Sequence, residues 1–183
     1  NPHLSRRQTE QRLKQLFGLQ RILWLDHGYL AGDDTDSHID TLARFCDADT
    51  IAYVQCHDPA DEHYEALRAM EAQLRGFVTA EGRPYRLVPL PMPDACFAED
   101  GHRLPATYAN FLIINGAVLV PVYGLPQDAA ALEALAACFP DRELVPVDCR
   151  VLIEQHGSLH CVTMQYPSAV AATSVAEGQH RRL

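Results

Sequence analysis

Two short segments of this 183-residue chain bring together side chains able to do chemistry. The first is Gly32-Asp33-Asp34-Thr35-Asp36-Ser37-His38-Ile39-Asp40, in which four carboxylates and one imidazole fall within nine residues. If residues 38 to 45 are a strand, His38 and Asp40 project from one face, because strand side chains alternate with a period of two. An imidazole beside a carboxylate suits a general acid/base next to a clamp for a cation. The same run has other readings: a solvated acidic loop, a calcium loop, or a transition-metal site on Asp36, His38 and Asp40. The calcium loop is disfavoured, because Ser37 stands where the EF-hand glycine falls and no closing glutamate follows.

The second segment is Gln155-His156-Gly157-Ser158-Leu159-His160-Cys161-Val162-Thr163-Met164-Gln165. Here a cysteine follows a glycine-bearing turn and enters what reads as a strand, Ser158 to Gln165. A cysteine on an apolar strand is ordinarily a core residue. Gly157 and Ser158 would let a substrate approach the backbone, and nearby imidazoles or a bound cation would favour the reactive thiolate. Cysteine nucleophiles commonly pair with a histidine remote in sequence, so Cys161 and His38 form a candidate couple.

The elements that must position these residues are partly periodic. Ser5 and Gln8 form a capping-box signature before Leu13, Leu16 and Phe17 at helical spacing, and Gly18 is a stop, which predicts a helix over 5 to 17. Residues 21 to 25 read as a strand. From His38 onward the order is strand (38 to 45), strand (50 to 56), helix (59 to 74), strand (85 to 90). It then recurs as a hairpin of 109 to 115 and 117 to 123 across Asn115-Gly116, a helix over 128 to 138 and a strand over 143 to 147. These are two ββαβ units, flanked by the end of an earlier unit and the start of a later one. Because such units bury their faces against neighbours, the chain is expected to be the C-terminal part of a larger protein, read as a single domain over 1 to 183. The opening Asn1-Pro2-His3-Leu4 has no initiator Met or leader character, which agrees with a fragment. Pro89 to Arg103 is a long irregular connection, and residues from about 168 on are expected to form a mobile tail.

Composition narrows the partners. With 48% hydrophobic and 21% charged residues the chain can bury a core, and its net charge of −9 argues against nucleic acid. A small cationic substrate is compatible with that charge. Six scattered cysteines, with no C-x-x-C pair, read as reduced and cytoplasmic. The apolar run from Phe111 to Tyr123 is interrupted and falls short of the roughly 20 residues a membrane span needs. Whether the protein forms a homo-oligomer is left open by the sequence.

Three segments together, Gly32 to Phe45, Leu104 to Gly116 and Gly157 to Pro167, resemble the agmatine deiminase family, also called the Porphyromonas-type peptidyl-arginine deiminase family. Gly32 to Asp40 follows the family's G-D-D-T-D-G-H-I-D with Ser37 in place of glycine. Leu159-His160-Cys161-Val162-Thr163 follows its I-H-C-I-T nucleophile segment. Asn1 to Leu4 and Trp24-Leu25 also look like family landmarks, so the likeness covers the chain up to Pro167. The resemblance implies part of a pentein fold, a five-bladed α/β propeller of ββαβ repeats with a central active site. It implies that Cys161 attacks a guanidinium carbon, that His38 protonates departing ammonia, and that a thiouronium intermediate is hydrolysed, with no metal or cofactor. Asp40 is the carboxylate that holds the guanidinium on this reading, and agmatine becomes N-carbamoylputrescine.

The family also draws a guanidinium-binding aspartate and a histidine-supporting glutamate from an N-terminal half, so this piece is expected to be inactive alone. Gln155-His156-Gly157-Ser158 departs from the family's G-G-G-N, and Met164 replaces a common glutamine. A peptidyl-arginine deiminase yielding citrulline is the nearest alternative. A metal-dependent hydrolase and a non-catalytic domain with Cys161 in its core are the others.

Overall fold

The computed structural model describes residues 3 to 33 and 38 to 166. Asp34 to Ser37 and the expected tail therefore lie outside the described residues. The described residues form a mixed α/β structure with two small three-stranded sheets. The order is α1 (Arg6–Phe17), β1 (Ala43–Phe45), β2 (Thr50–Gln55), α2 (Tyr64–Arg75), β3 (Arg86–Pro91), β4 (Leu112–Ile114), β5 (Ala117–Val122), α3 (Asp128–Ala136) and β6 (Glu143–Asp148).

Both expected ββαβ units are present. In each, a short strand pairs antiparallel with the central strand, and the helix then returns the chain to a parallel partner on the other side. The sheet orders are β1-β2-β3 and β4-β5-β6. Local chemistry accounts for this. Asn115-Gly116 makes the two-residue turn that joins β4 to β5. Pro89, Pro91 and Pro146 fall on β3 and β6, edge strands of the two sheets, where a missing N–H leaves no ladder bond unmade.

The central strand β2 is buried along almost its whole length, while α2 turns Leu67, Met70 and Leu74 inward at helical spacing. Leu135 of α3 and Phe111, Val118 and Val120 join them in one continuous core. Because α3 packs on β3 as well as on β6, the two units share that core. Among the described residues no helix is long and apolar enough to cross a membrane.

The helix α1 carries the full capping box, with the Ser5 side chain accepting from the Gln8 N–H and the Gln8 side chain accepting from the Ser5 N–H. The expected helix over 59 to 74 starts later, at Tyr64. Asp58 and Asp61 accept hydrogen bonds from the N–H groups of Ala60 and His63 and hold that stretch in turns instead.

Three expected strands are corrected. Residues 21 to 25 form no strand. The Trp24 carbonyl accepts from the Gln73 side-chain amide, whose oxygen accepts from the Asp26 N–H, so a helix side chain stands where a neighbouring strand was expected. Residues 38 to 45 begin as a 3-10 turn over Ile39–Thr41, and only Ala43–Phe45 pairs as a strand. Ser158 to Gln165 contains a 3-10 turn at His160–Val162 and no strand, because the His160 N–H is taken by Asn110 rather than by a ladder.

Candidate active site

The 3-10 turns at Ile39–Thr41 and His160–Val162 meet across Asn110. Its side-chain carbonyl accepts from the backbone N–H of His160 (2.8 Å) and Cys161 (3.3 Å). Its amide N–H donates to the Asp40 carbonyl (3.2 Å), the Asp40 carboxylate (3.1 Å) and the Cys161 sulfur (3.3 Å). Asn110 is fully buried, and a buried amide satisfied at both ends fixes the geometry of both turns. Sequence reasoning marked the surrounding Leu104 to Gly116 segment but not this residue.

Asp40 and Cys161 are thereby brought together, with Sγ 3.8 Å from Oδ2. The same Oδ2 accepts from Nδ1 of His160 at 2.6 Å. Among the described residues no hydrogen bond engages Oδ1. His160, unassigned from sequence, is thus the partner of Asp40.

Cys161 itself is exposed, unlike Cys56, Cys138 and Cys149, so it is not the core cysteine of the bland reading. Although it opens to solvent, the protein around it partly removes water. That desolvation pushes the thiol above its usual range, and the charges of Asp40 and Asp33 push the same way. A hydrogen bond to the Ser158 backbone and the Asn110 amide oppose them without cancelling them.

His38 does not join this cluster in the same manner. Its carbonyl accepts from the Thr41 N–H and hydroxyl, but its exposed side chain makes no hydrogen bond among the described residues. The alternation argument that placed His38 and Asp40 on one strand face fails, since the 3-10 turn and not a strand carries Asp40. Asp36 of the alternative metal set lies outside the described residues.

Further bonds fix the frame. The Thr107 hydroxyl donates to the Thr41 carbonyl (2.7 Å), and the Tyr123 hydroxyl donates to the Thr107 carbonyl (2.9 Å). Having given up its only proton, Tyr123 accepts from the Ser158 hydroxyl at 2.8 Å, which ties the His38 arm to the Cys161 arm. The loop leading to Asp33 is anchored by buried His63. Its Nε2 accepts from the Ala31 N–H (2.8 Å), and its Nδ1 donates to Asp61 (2.6 Å). Burial raises the Asp61 carboxyl, but bonds from Arg103 and His63 outweigh it and hold it at about 2.

Two glycines permit close approaches here. A Cβ on Gly157 would lie 3.0 Å from Cβ of Cys161. At Gly32, with φ +78°, a Cβ would lie 2.2 Å from the Arg103 carbonyl oxygen, which is backbone and cannot swing away. Gly32→Ala is therefore expected to destabilise the fold by about 3 kcal/mol or more, through steric overlap and left-handed strain. Urea unfolding measures this, and a loss below about 1 kcal/mol would show that the loop adapts freely.

Comparison with known proteins gives the chain's family. The model of the Porphyromonas-type peptidyl-arginine deiminase family matches residues 1 to 167. A Porphyromonas gingivalis crystal structure, of a protein provisionally called an arginine deiminase, shares 60% identity with a TM-score of 0.89 over 92% of this chain and 49% of its own. The C. jejuni agmatine deiminase is 44% identical, with a TM-score of 0.79 over 88% of this chain and 46% of its own. The agmatine deiminase of Pseudomonas fluorescens is 31% identical over 92% of this chain and 50% of its length. The chain spans about half the length of the curated relatives it matches. With every described residue inside the matched span, the chain belongs to the Porphyromonas-type peptidyl-arginine deiminase family.

Proposed function

We propose that this chain carries the nucleophile arm of a guanidine deiminase, and that agmatine is its substrate. The observation that supports this most is the placement of the exposed Cys161 thiol 3.8 Å from the Asp40 carboxylate. A guanidinium is a poorly electrophilic cation, so it needs both a carboxylate to hold it and a strong nucleophile to attack it. A guanidinium against Oδ1 of Asp40 neutralises the charge that raises the thiol and adds a positive charge beside it, so substrate binding itself favours the thiolate.

The thiolate of Cys161 then bonds to the guanidinium carbon, a C–N bond breaks, and ammonia leaves with a proton supplied by His38. Water attacks the resulting thiouronium, the S–C bond breaks, and a ureido product departs. Agmatine gives N-carbamoylputrescine by this route. The role of His38 is supported by its place in the acidic motif two residues before Asp40, and no cofactor takes part. We further propose that an additional segment, of about the length by which the relatives exceed this chain, completes a five-bladed pentein and the guanidine site.

The peptidyl-arginine reading is favoured by the family's own description and by a 54% identical structure of a protein provisionally called a peptidyl-arginine deiminase. Joined to the completing segment, the chain is expected to release ammonia from agmatine faster than from free arginine or a peptide ending in arginine. Release from the peptide alone keeps the chemistry and changes the substrate; release from none of the three overturns the reading.

A further inference from the structure

We propose that Arg44, a guanidinium that the deimination steps above leave unused, is the fixed positive charge that favours the reactive thiolate of Cys161. The inference rests on the reading of Cys161 as the nucleophile, and its test reads the thiol itself rather than turnover.

Arg44 lies in β1, and its side chain is held at two points on one neighbour. Nη1 donates to the Phe111 carbonyl at 2.8 Å, and the guanidinium carbon stands 5.0 Å from the centroid of the Phe111 ring. Phe111 is fully buried and packs edge-on against Phe139, so its ring and carbonyl make a rigid seat. A planar guanidinium laid on an aromatic face is more closely oriented than an ammonium on a flexible stem. The residue before Phe111 is Asn110, whose amide stands 3.1 Å from the Asp40 carboxylate and 3.3 Å from the Cys161 sulfur. The charge is therefore anchored one peptide unit from the side chain that touches both groups.

Arg44 is half-buried, yet among the described residues it makes no salt bridge and its hydrogen bond goes to a neutral carbonyl. A charge that loses hydration needs opposite charges nearby to offset the loss. Burial pulls the guanidinium below its usual range, and the negative forms of Asp40, Cys46 and Cys161 act against that burial. Cys46 is pushed up to about 12 by burial and by Cys138, so it is uncharged at neutral pH. Asp40 and Cys161 are left as the anions that Arg44 serves. Because the attraction is mutual, the guanidinium favours the Cys161 thiolate as the thiolate favours the guanidinium. Around the thiol it stands against the carboxylates of Asp40 and Asp33, while His160 is bonded to Asp40. Without Arg44 the already raised thiol would stand higher still.

The test is alkylation of the reduced full chain by iodoacetamide over a range of pH, followed by mass spectrometry of the peptide that carries Cys161. Arg44→Gln is neutral but still able to donate to a carbonyl. It is expected to move the Cys161 profile to higher pH and to slow alkylation at neutral pH about threefold or more. Arg44→Lys keeps the charge, and its rate is expected to stay within about twofold of the native one. Arg44→Met repeats the neutral arm with an apolar stem left over Phe111, so the result does not depend on one variant folding. Cys96, whose charged neighbours are Arg103, Asp94 and Asp128, is the internal control and should not change.

An unmoved Cys161 profile in the neutral variants would overturn the proposal. So would Arg44→Lys slowing as much as Arg44→Gln, which would make the role one of support for Phe111, or Cys96 moving together with Cys161, which would mean a general loosening. A shifted profile beside a completed enzyme that releases no ammonia would remove the deiminase reading and leave the charge of Arg44 assigned.

Discussion

Cys161→Ala in the completed enzyme is expected to lower guanidine turnover on the order of 10⁴-fold or more, because no other group takes over a covalent step once its nucleophile is removed. Folding should be nearly indifferent to the change. Cys161 is exposed, and surface truncations usually stay within about 0.5 kcal/mol. Ammonia release and a urea melt on the same preparation separate the two effects. Retention of more than about a tenth of the activity would remove Cys161 from the mechanism, and the non-catalytic reading of the chain would gain the ground it lost. Cys161→Ser is the sharper variant: it keeps the size and polarity of the side chain but loses the acidity that lets sulfur ionise.

Asp40→Asn tests the electrostatic half of the site and carries two effects of opposite sign. Turnover should fall about 10²- to 10³-fold, since the carboxylate that holds the cation becomes a neutral amide. Alkylation of Cys161 by iodoacetamide in the absence of substrate should instead become faster. In the native protein the thiol is raised by burial and by the negative charges of Asp40 and Asp33, so little thiolate exists at neutral pH and the alkylation rate climbs only as pH approaches the raised value. Removing the Asp40 charge shifts that profile to lower pH. A damaged site would lose both activity and alkylation, whereas the proposed arrangement loses one and gains the other. Slower alkylation in Asp40→Asn would mean that Asp40 assists the thiolate rather than opposing it, and the account of substrate-assisted ionisation would fall.

How legible these features are in the sequence depends on whether their cause is local. The capping box of α1, the Asn115-Gly116 hairpin and the helical spacing of Leu67, Met70 and Leu74 are set by residues within a few positions of one another. The first two appear where the sequence places them, and the helix that carries the third starts later than expected, at Tyr64. The strands expected at 21 to 25 and 158 to 165 do not form, because a strand is defined by its neighbour, and in these places the neighbours are the side chains of Gln73 and Asn110. Asp40 and Cys161 were readable as chemically competent residues. The roles of Asn110 and His160 were not, since each arises from an encounter across 50 or more residues of chain.

By itself, then, the amino-acid sequence determined the two ββαβ units, the acidic and cysteine-bearing motifs, and the family they resemble. Each of these rests on short-range periodicity or on a contiguous run of residue types. Only the tertiary structure decided that a buried amide would lock the Asp40 and Cys161 turns together, and that Asp40 would take His160 rather than His38 as its hydrogen-bonded imidazole. It also decided that the His102 and His156 rings, from separate loops, would come together in a stack. The physical reason is common to all three. A hydrogen bond or ring contact acts over a few ångströms of space, and which groups come within that range is fixed by how the whole chain packs its core.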